Sequence, residues 1–195
     1  MSSHHIVRDE QEPAIIITYL KPNFWKAIDQ LLGWSPTVIV TSECVEKVLL
    51  KGIKIDLVVG SASQLKQRES LLVDQQPIET LECDVAKILS TAIEYLLNKN
   101  YKAVNIFSEL KLNMTSDQTI NCIWYNDELR YVKSSNYSFR KWLPEQTNLC
   151  ILPTTDNQEF KSDGLTKVEN LEYMSNNSGM VTLASDHNFW IGQAY

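Results

Sequence analysis

The stretch "KGIKIDLVVGSASQ", Lys51 to Gln64, decides the fold. Its apolar centre is short, follows a glycine and carries no alternation, the pattern of a strand buried on both faces of a parallel sheet. A strand of that kind delivers the residues at its carboxyl end into a ligand crevice. Here that end reads Ser61-Ala62-Ser63-Gln64, two hydroxyls and an amide with no acid among them.

The segments before it repeat one alternation. "PAIIITYL" reads as a first buried strand, and "NFWKAIDQLLGW" as a helix with Phe24, Ile28, Leu31 and Leu32 on one face, stopped by Gly33 and "SP". "TVIVT" is a second strand, "ECVEKVLLKG" a second helix closed by Gly52, and "KIDLVVG" the third strand. The βαβαβ order implies a mostly parallel sheet with right-handed crossovers. Downstream, the polar segment from Ser63 to Pro77 reads as a bridge, "CDVAKILSTAIEYLLNKN" as a long amphipathic helix and "KAVNIF" as another strand. From Tyr125 the texture changes to short strand-like pieces, "LRYVKSS", "TNLCILPT", "LEYMS", "GMVTLAS" and "NFWIGQAY", which suggest a small β-sandwich or barrel. The expected organisation is an α/β domain over 1–124, Rossmann-like with three layers about a parallel sheet, and a β-sandwich domain over 125–195.

Composition narrows the function classes. The 195 residues, 44% hydrophobic, can bury a sizeable core. A net charge of −6 with no cluster of Lys and Arg argues against nucleic acid and anionic membranes as partners. No apolar run approaches the roughly 20 residues of a membrane span, and "MSSHHIVRDEQEP" has no apolar signal core, so a cytoplasmic location is expected. Cys44, Cys83, Cys122 and Cys150 are widely spaced, without a CxxC pair, and His4 and His5 form a terminal polar pair; no metal site is assigned to either set. His187, in "ASDHNFW", reads as a hairpin-turn residue, and neither GxxxxGK[ST] nor GxGxxG occurs.

The order and spacing of "LLGWSPTVIV", "VEKVLLKGIKIDLVVG", "CDVAKILSTAIEYLLNKNYKAVNIF", "DQTINCIWYNDELRYV" and "GLTKVENLEYMSNNSGMVTL" resemble the thiamine pyrophosphokinase family. The resemblance covers nearly the whole chain. It implies an α/β domain followed by a β-sandwich, a homodimer, and transfer of a pyrophosphoryl group from ATP to the thiamine hydroxyl with Mg2+. Magnesium needs carboxylate oxygens beside the phosphates. By resemblance, Asp56, Asp84, Lys87 and Asp117 match positions around the catalytic crevice, and Ser175 with Asn176 match a Ser-Asn element that contacts thiamine. Each has a plain structural alternative: a turn acid for Asp56, an i,i+3 pair at a helix start for Asp84 and Lys87, and a polar loop for "SNNSG".

Other positions depart from the family pattern. Ser61 and Ser63 stand where a G-D-x-D-S-like turn supplies carboxylates, Ser42 begins an element that is Asp-Gly-like in the family, and Gln118 stands for a His. Tyr19 and Leu20 replace a small Asn-Gly-like turn. No Arg or Gly lies between Phe107 and Asp117, leaving Lys111 as the cation there. The resulting expectation is a family member with lost or reduced catalysis and a ligand-binding or regulatory role. The alternatives are an active enzyme with an atypical metal site, using Glu43, Asp56, Asp84 and Asp117 as replacement acids, and a dimeric interaction module without ligand.

Overall fold

The computed structural model describes residues 12–109, 120–126 and 128–195. The chain divides into two compact units, Met1–Asp127 and Glu128–Tyr195. Asp117, Gln118, Lys111, His4 and His5 lie outside the described residues.

The first unit is built on six parallel strands. In chain order these are β1 (Ala14–Ile17), β2 (Val38–Thr41), β3 (Leu57–Gly60), β4 (Glu79–Glu82), β5 (Ala103–Phe107) and β6 (Asn121–Asn126). They lie side by side as β6-β5-β1-β2-β3-β4, every pairing parallel. All four residues of β1, β2 and β3 are buried. Their β-branched side chains suit a sheet covered on both faces, each full burial contributing roughly 1.5–3 kcal/mol. Helices α1 (Phe24–Leu32), α2 (Val45–Leu49) and α3 (Ala62–Leu72) link β1 through β4, and α4 (Ile88–Asn98) leads into β5.

One core joins Phe24, Ala27 and Ile28 of α1, Val45 and Val48 of α2 and Leu72 of α3 to Ile15, Ile17, Val38, Val40, Val58 and Phe107 of the strands. Phe107 is its aromatic centre, edge-on to Phe24 at 5.4 Å and stacked on Tyr125 at 4.5 Å. The alternate strand residues, such as Ile16, Ile39 and Ile106, are also buried, and α4 lies against β3 with Ala92, Ile93 and Leu96 inward.

The segment from Ser63 to Pro77, expected as a polar bridge, is mainly the helix α3, followed by a 3-10 turn at Val73–Gln75 and then by β4. The helix escapes a periodicity reading because "ASQLKQRESLL" has no apolar stripe, and Leu72 alone is buried. Likewise β4 is an exposed edge strand, and its charged ends, Glu79 and Glu82, are the kind of residue that discourages a further strand from adding.

The second unit carries two antiparallel sheets. Its strands are β7 (Leu129–Lys133), β8 (Ser138–Leu143), β9 (Asn148–Pro153), β10 (Lys161–Asp163), β11 (Leu165–Glu169), β12 (Glu172–Ser175), β13 (Gly179–Ala184) and β14 (Phe189–Ala194). One sheet runs β11-β12-β9-β14-β7 and the other β10-β13-β8. Leu143, Val181 and Leu183 of the second sheet share a core with Leu149, Ile151, Phe189 and Ile191 of the first, as in a β-sandwich. A Cβ on Gly192 would lie 2.5 Å from the ring of Tyr131, its cross-strand partner, so only glycine lets that ring cover the strand. The strand β8, absent from the sequence reading, follows a two-residue turn in which Asn136 and Tyr137 both have positive φ. Such turns favour Asn-Gly, and Asn-Tyr hides the signal.

Candidate functional site

The parallel sheet aims every strand's carboxyl end at one edge. Thr18 and Tyr19 follow β1, Ser42 and Glu43 follow β2, Ser61 follows β3, Asp84 comes two residues after β4, and Ser108 and Glu109 follow β5. A cleft of about 210 Å³ opens at this edge, within the first unit. Its polar lining consists of the hydroxyls of Thr18, Thr41 and Ser42, the carboxylates of Glu43 and Glu109, and the Gln64 amide. Its apolar lining is Tyr19 from β1's end and Val85, Ala86, Ile88 and Leu89 at the start of α4.

Ser61-Ala62-Ser63-Gln64 has a definite structural task. Ser61 is the N-cap of α3, and its hydroxyl accepts from the Gln64 amide N–H while Gln64 Oε1 accepts from Ser61 N–H at 3.1 Å. Ser-x-x-Gln is a capping box, which satisfies two helix-end donors reciprocally. The Ser61 hydroxyl also lies 3.0 Å from Gln64 Oε1 and 3.2 Å from the exposed Ser63 hydroxyl. The other end of the Gln64 amide reaches out, its Nε2 donating to Glu43 Oε1 at 3.2 Å. A chain of hydrogen bonds thus runs from the cap to the carboxylate at the cleft's rim. The capping pattern was present in the sequence and is the signal that would have located α3.

Ser42 is 2% exposed and donates to Val59 O at 3.3 Å. A Cβ on Gly60 would fall 2.0 Å from its Oγ. The glycine at the end of β3 therefore gives room to a serine hydroxyl, and that hydroxyl fills the space beside the strand end. Arg68 of α3 donates to Ser42 O at 3.2 Å and lies 3.9 Å from Glu46. The neighbouring Cys44 is buried, and desolvation pushes its thiol up from the ordinary range, leaving it protonated and unreactive.

The remaining candidates do not converge. Asp84 and Lys87 face each other at 3.9 Å, both strongly exposed, as an i,i+3 pair before α4. Asp56 stands at the opposite edge of the sheet, before β3. Its Oδ2 accepts from Val38 N–H at 2.9 Å and its Oδ1 lies 3.5 Å from Lys54 Nζ. The four residues of β3, at about 3.3 Å each, separate it from Ser61. In the second unit Ser175 is fully buried, and its hydroxyl accepts from Thr147 N–H at 2.8 Å and donates to Pro144 O. Asn176 is exposed and accepts from the Thr166 hydroxyl at 2.6 Å. His187 lies in the turn between β13 and β14, exposed beside Asp186. Among the described residues no group of three or more His, Cys, Asp or Glu side chains could hold a metal ion, and no helix is long and apolar enough to cross a membrane.

No family model matches the chain, and no curated protein matches it in sequence. Solved structures do match its fold. The thiamine pyrophosphokinase of Bacillus subtilis is similar with a TM-score of 0.65 at 11% identity, covering 93% of this chain and 98% of its own. That of Geobacillus thermodenitrificans gives 0.67 at 10%, covering 93% and 97%, and that of Candida albicans 0.64 at 8%, covering 95% and 91%. With a parallel sheet in one unit, two antiparallel sheets in the other and near-complete coverage of several such enzymes, this chain is a divergent example of the thiamine pyrophosphokinase fold.

Proposed function

We propose that this protein is a thiamine pyrophosphokinase relative in which pyrophosphoryl transfer has been given up and a small-molecule-binding role retained, in a cytoplasmic homodimer. The observation that carries the reading is the capping box at the end of β3. The Ser61 hydroxyl, standing where the family resemblance leads one to expect metal-binding carboxylates, is engaged by the Gln64 amide.

The donor set at this edge fits magnesium and a triphosphate poorly. Magnesium favours anionic oxygens in near-octahedral array, and serine hydroxyls are neutral. Glu43 is tied to Gln64, and Asp84 is turned to Lys87 on the exposed surface. Among the described residues lining the cleft there is no Lys or Arg to meet phosphate oxygens. Ser42 occupies the space beside Gly60 that a close backbone approach would require.

Incubation of the full chain with ATP, Mg2+ and thiamine, followed by chromatography, tests the reading. No thiamine diphosphate above the protein-free rate is expected. Accumulation of product in proportion to protein would establish the active-enzyme alternative and overturn the proposal.

A further inference from the structure

We propose that the cleft at the carboxyl edge of the parallel sheet takes a small organic cation bearing N–H donors, an arylammonium or amidinium, rather than an anionic nucleotide. The inference rests on the reading that this edge no longer serves phosphoryl transfer, and it names the ligand chemistry that the remaining side chains favour.

Hydrogen-bonding character comes first. The Thr18 hydroxyl gives its proton to Phe107 O at 3.3 Å and the Ser42 hydroxyl gives its own to Val59 O at 3.3 Å. With those protons turned into the sheet, the two hydroxyls offer the cleft lone pairs. Glu43 and Glu109 add carboxylates, which only accept. A phosphate also only accepts, so it finds few partners among these groups, whereas N–H donors find several.

Charge points the same way. The described lining holds two carboxylates and no Lys or Arg. Lys21, 3.2 Å from Glu109, offsets one of the two charges, and Arg68, on Ser42 O, is matched by Glu46 at 3.9 Å, so the balance of these described groups stays negative. Like charges about 4 Å apart repel by roughly 4 kcal/mol at the effective dielectric of a protein surface, a large penalty for a polyanion.

The rest of the lining suits an apolar body. Val85 is 60% exposed and Tyr19 37%, so apolar surface at the cleft lies open to water. A ligand ring against Val85, Ile88 and Leu89 would remove that surface from water, while the Tyr19 ring already carries Lys21 Nζ 5.6 Å from its centre. At about 210 Å³ the cleft suits a single-ring compound. Pockets for drug-sized ligands run from roughly 300 to 1,000 Å³. The capping box positions the charge, because Gln64 bonds Ser61 through its oxygen and Glu43 through its nitrogen.

Calorimetry with benzamidinium and with benzamide, its neutral analogue of nearly the same shape, tests this on the full chain. Benzamidinium is expected to bind with a Kd of about 1 mM or tighter, and benzamide about tenfold more weakly or worse. Glu43→Gln and Glu109→Gln, both at exposed side chains, are each expected to weaken benzamidinium several-fold while leaving the thermal midpoint in place. Absence of benzamidinium binding, equal binding of benzamide, or indifference to both variants would overturn the inference. The benzamide comparison needs no variant, so it stands even if a variant misfolds. Mg2+-dependent binding of ATP would instead overturn the underlying reading of this edge, whereas silence with both ATP and benzamidinium would overturn the cation inference alone.

Discussion

The two ends of β3 carry polar residues with opposite reputations and similar duties. At the amino end Asp56, an acid of the kind that binds metals, holds the Val38 amide at 2.9 Å and pairs with Lys54. At the carboxyl end, where a parallel sheet presents its ligand site, Ser61 and Gln64 close the first turn of α3 on itself. The acid sits where no chemistry converges, and the chemical edge has neutral residues that bond each other. Residue type alone is therefore a poor guide to a site, and position on the sheet is the better one. Between the ends, β3 is fully buried and apolar, so the scaffold is kept independently of what either end does.

A series of substitutions would break or sharpen this contrast. The largest effect is expected in the part of the sheet that neither end touches. Phe107→Ala should cost about 3–5 kcal/mol in denaturant unfolding, because a fully buried ring between Phe24 and Tyr125 is lost. A loss below about 1 kcal/mol would show that the core is looser than described.

Gly60→Ala should cost roughly 1–3 kcal/mol through its clash with Ser42 Oγ, and adding Ser42→Ala should recover most of it. Without that recovery, the close approach of the two strand ends would not be the cause. At the amino end, Asp56→Ala should destabilise by about 1–2 kcal/mol by leaving the Val38 amide without its partner, with no effect on ligand binding at the other edge.

At the capping box, Ser61→Ala should cost about 1 kcal/mol, whereas Ser61→Asp should be nearly neutral, since Asp caps as well as Ser. Ser63→Ala, at an exposed hydroxyl outside the cap, should change stability by less than about 0.5 kcal/mol. Equal effects of Ser61→Ala and Ser63→Ala would remove the cap as the reason for the motif.

Much of the fold is legible in the residues. The runs "AIII", "VIVT" and "LVVG" announce buried parallel strands, because sheets covered on both faces need no alternation. The strands β6, β10 and β11 go unread, and so do three elements held by local or edge geometry. Helix α3 announces itself by its cap rather than by an apolar stripe, β4 by edge pairing to β3, and β8 by a turn whose second residue is Tyr137 instead of glycine. The site is less legible. Asp56, Asp84 and Lys87 resemble family positions, yet Asp56 stands at the far edge, and Asp84 and Lys87 form an exposed pair. Ser175 looks available in "SNNSG" but is buried with its hydroxyl doubly bonded, a matter of packing that spacing cannot reveal. Glu109, by contrast, enters the cleft only because β5 ends beside β1, a consequence of strand order.

The measurement that bears most directly on the central claim is calorimetric titration of the full chain with ATP in the presence of Mg2+, repeated with the double variant Ser61→Asp, Ser63→Asp. The account predicts no saturable heat from the unaltered chain, since its hydroxyls and cap provide no seat for the metal. It predicts improved Mg2+ affinity in the double variant without turnover, because Tyr19 and the filled space beside Gly60 still oppose the nucleotide. Saturable, Mg2+-dependent ATP binding by the unaltered chain would contradict the account.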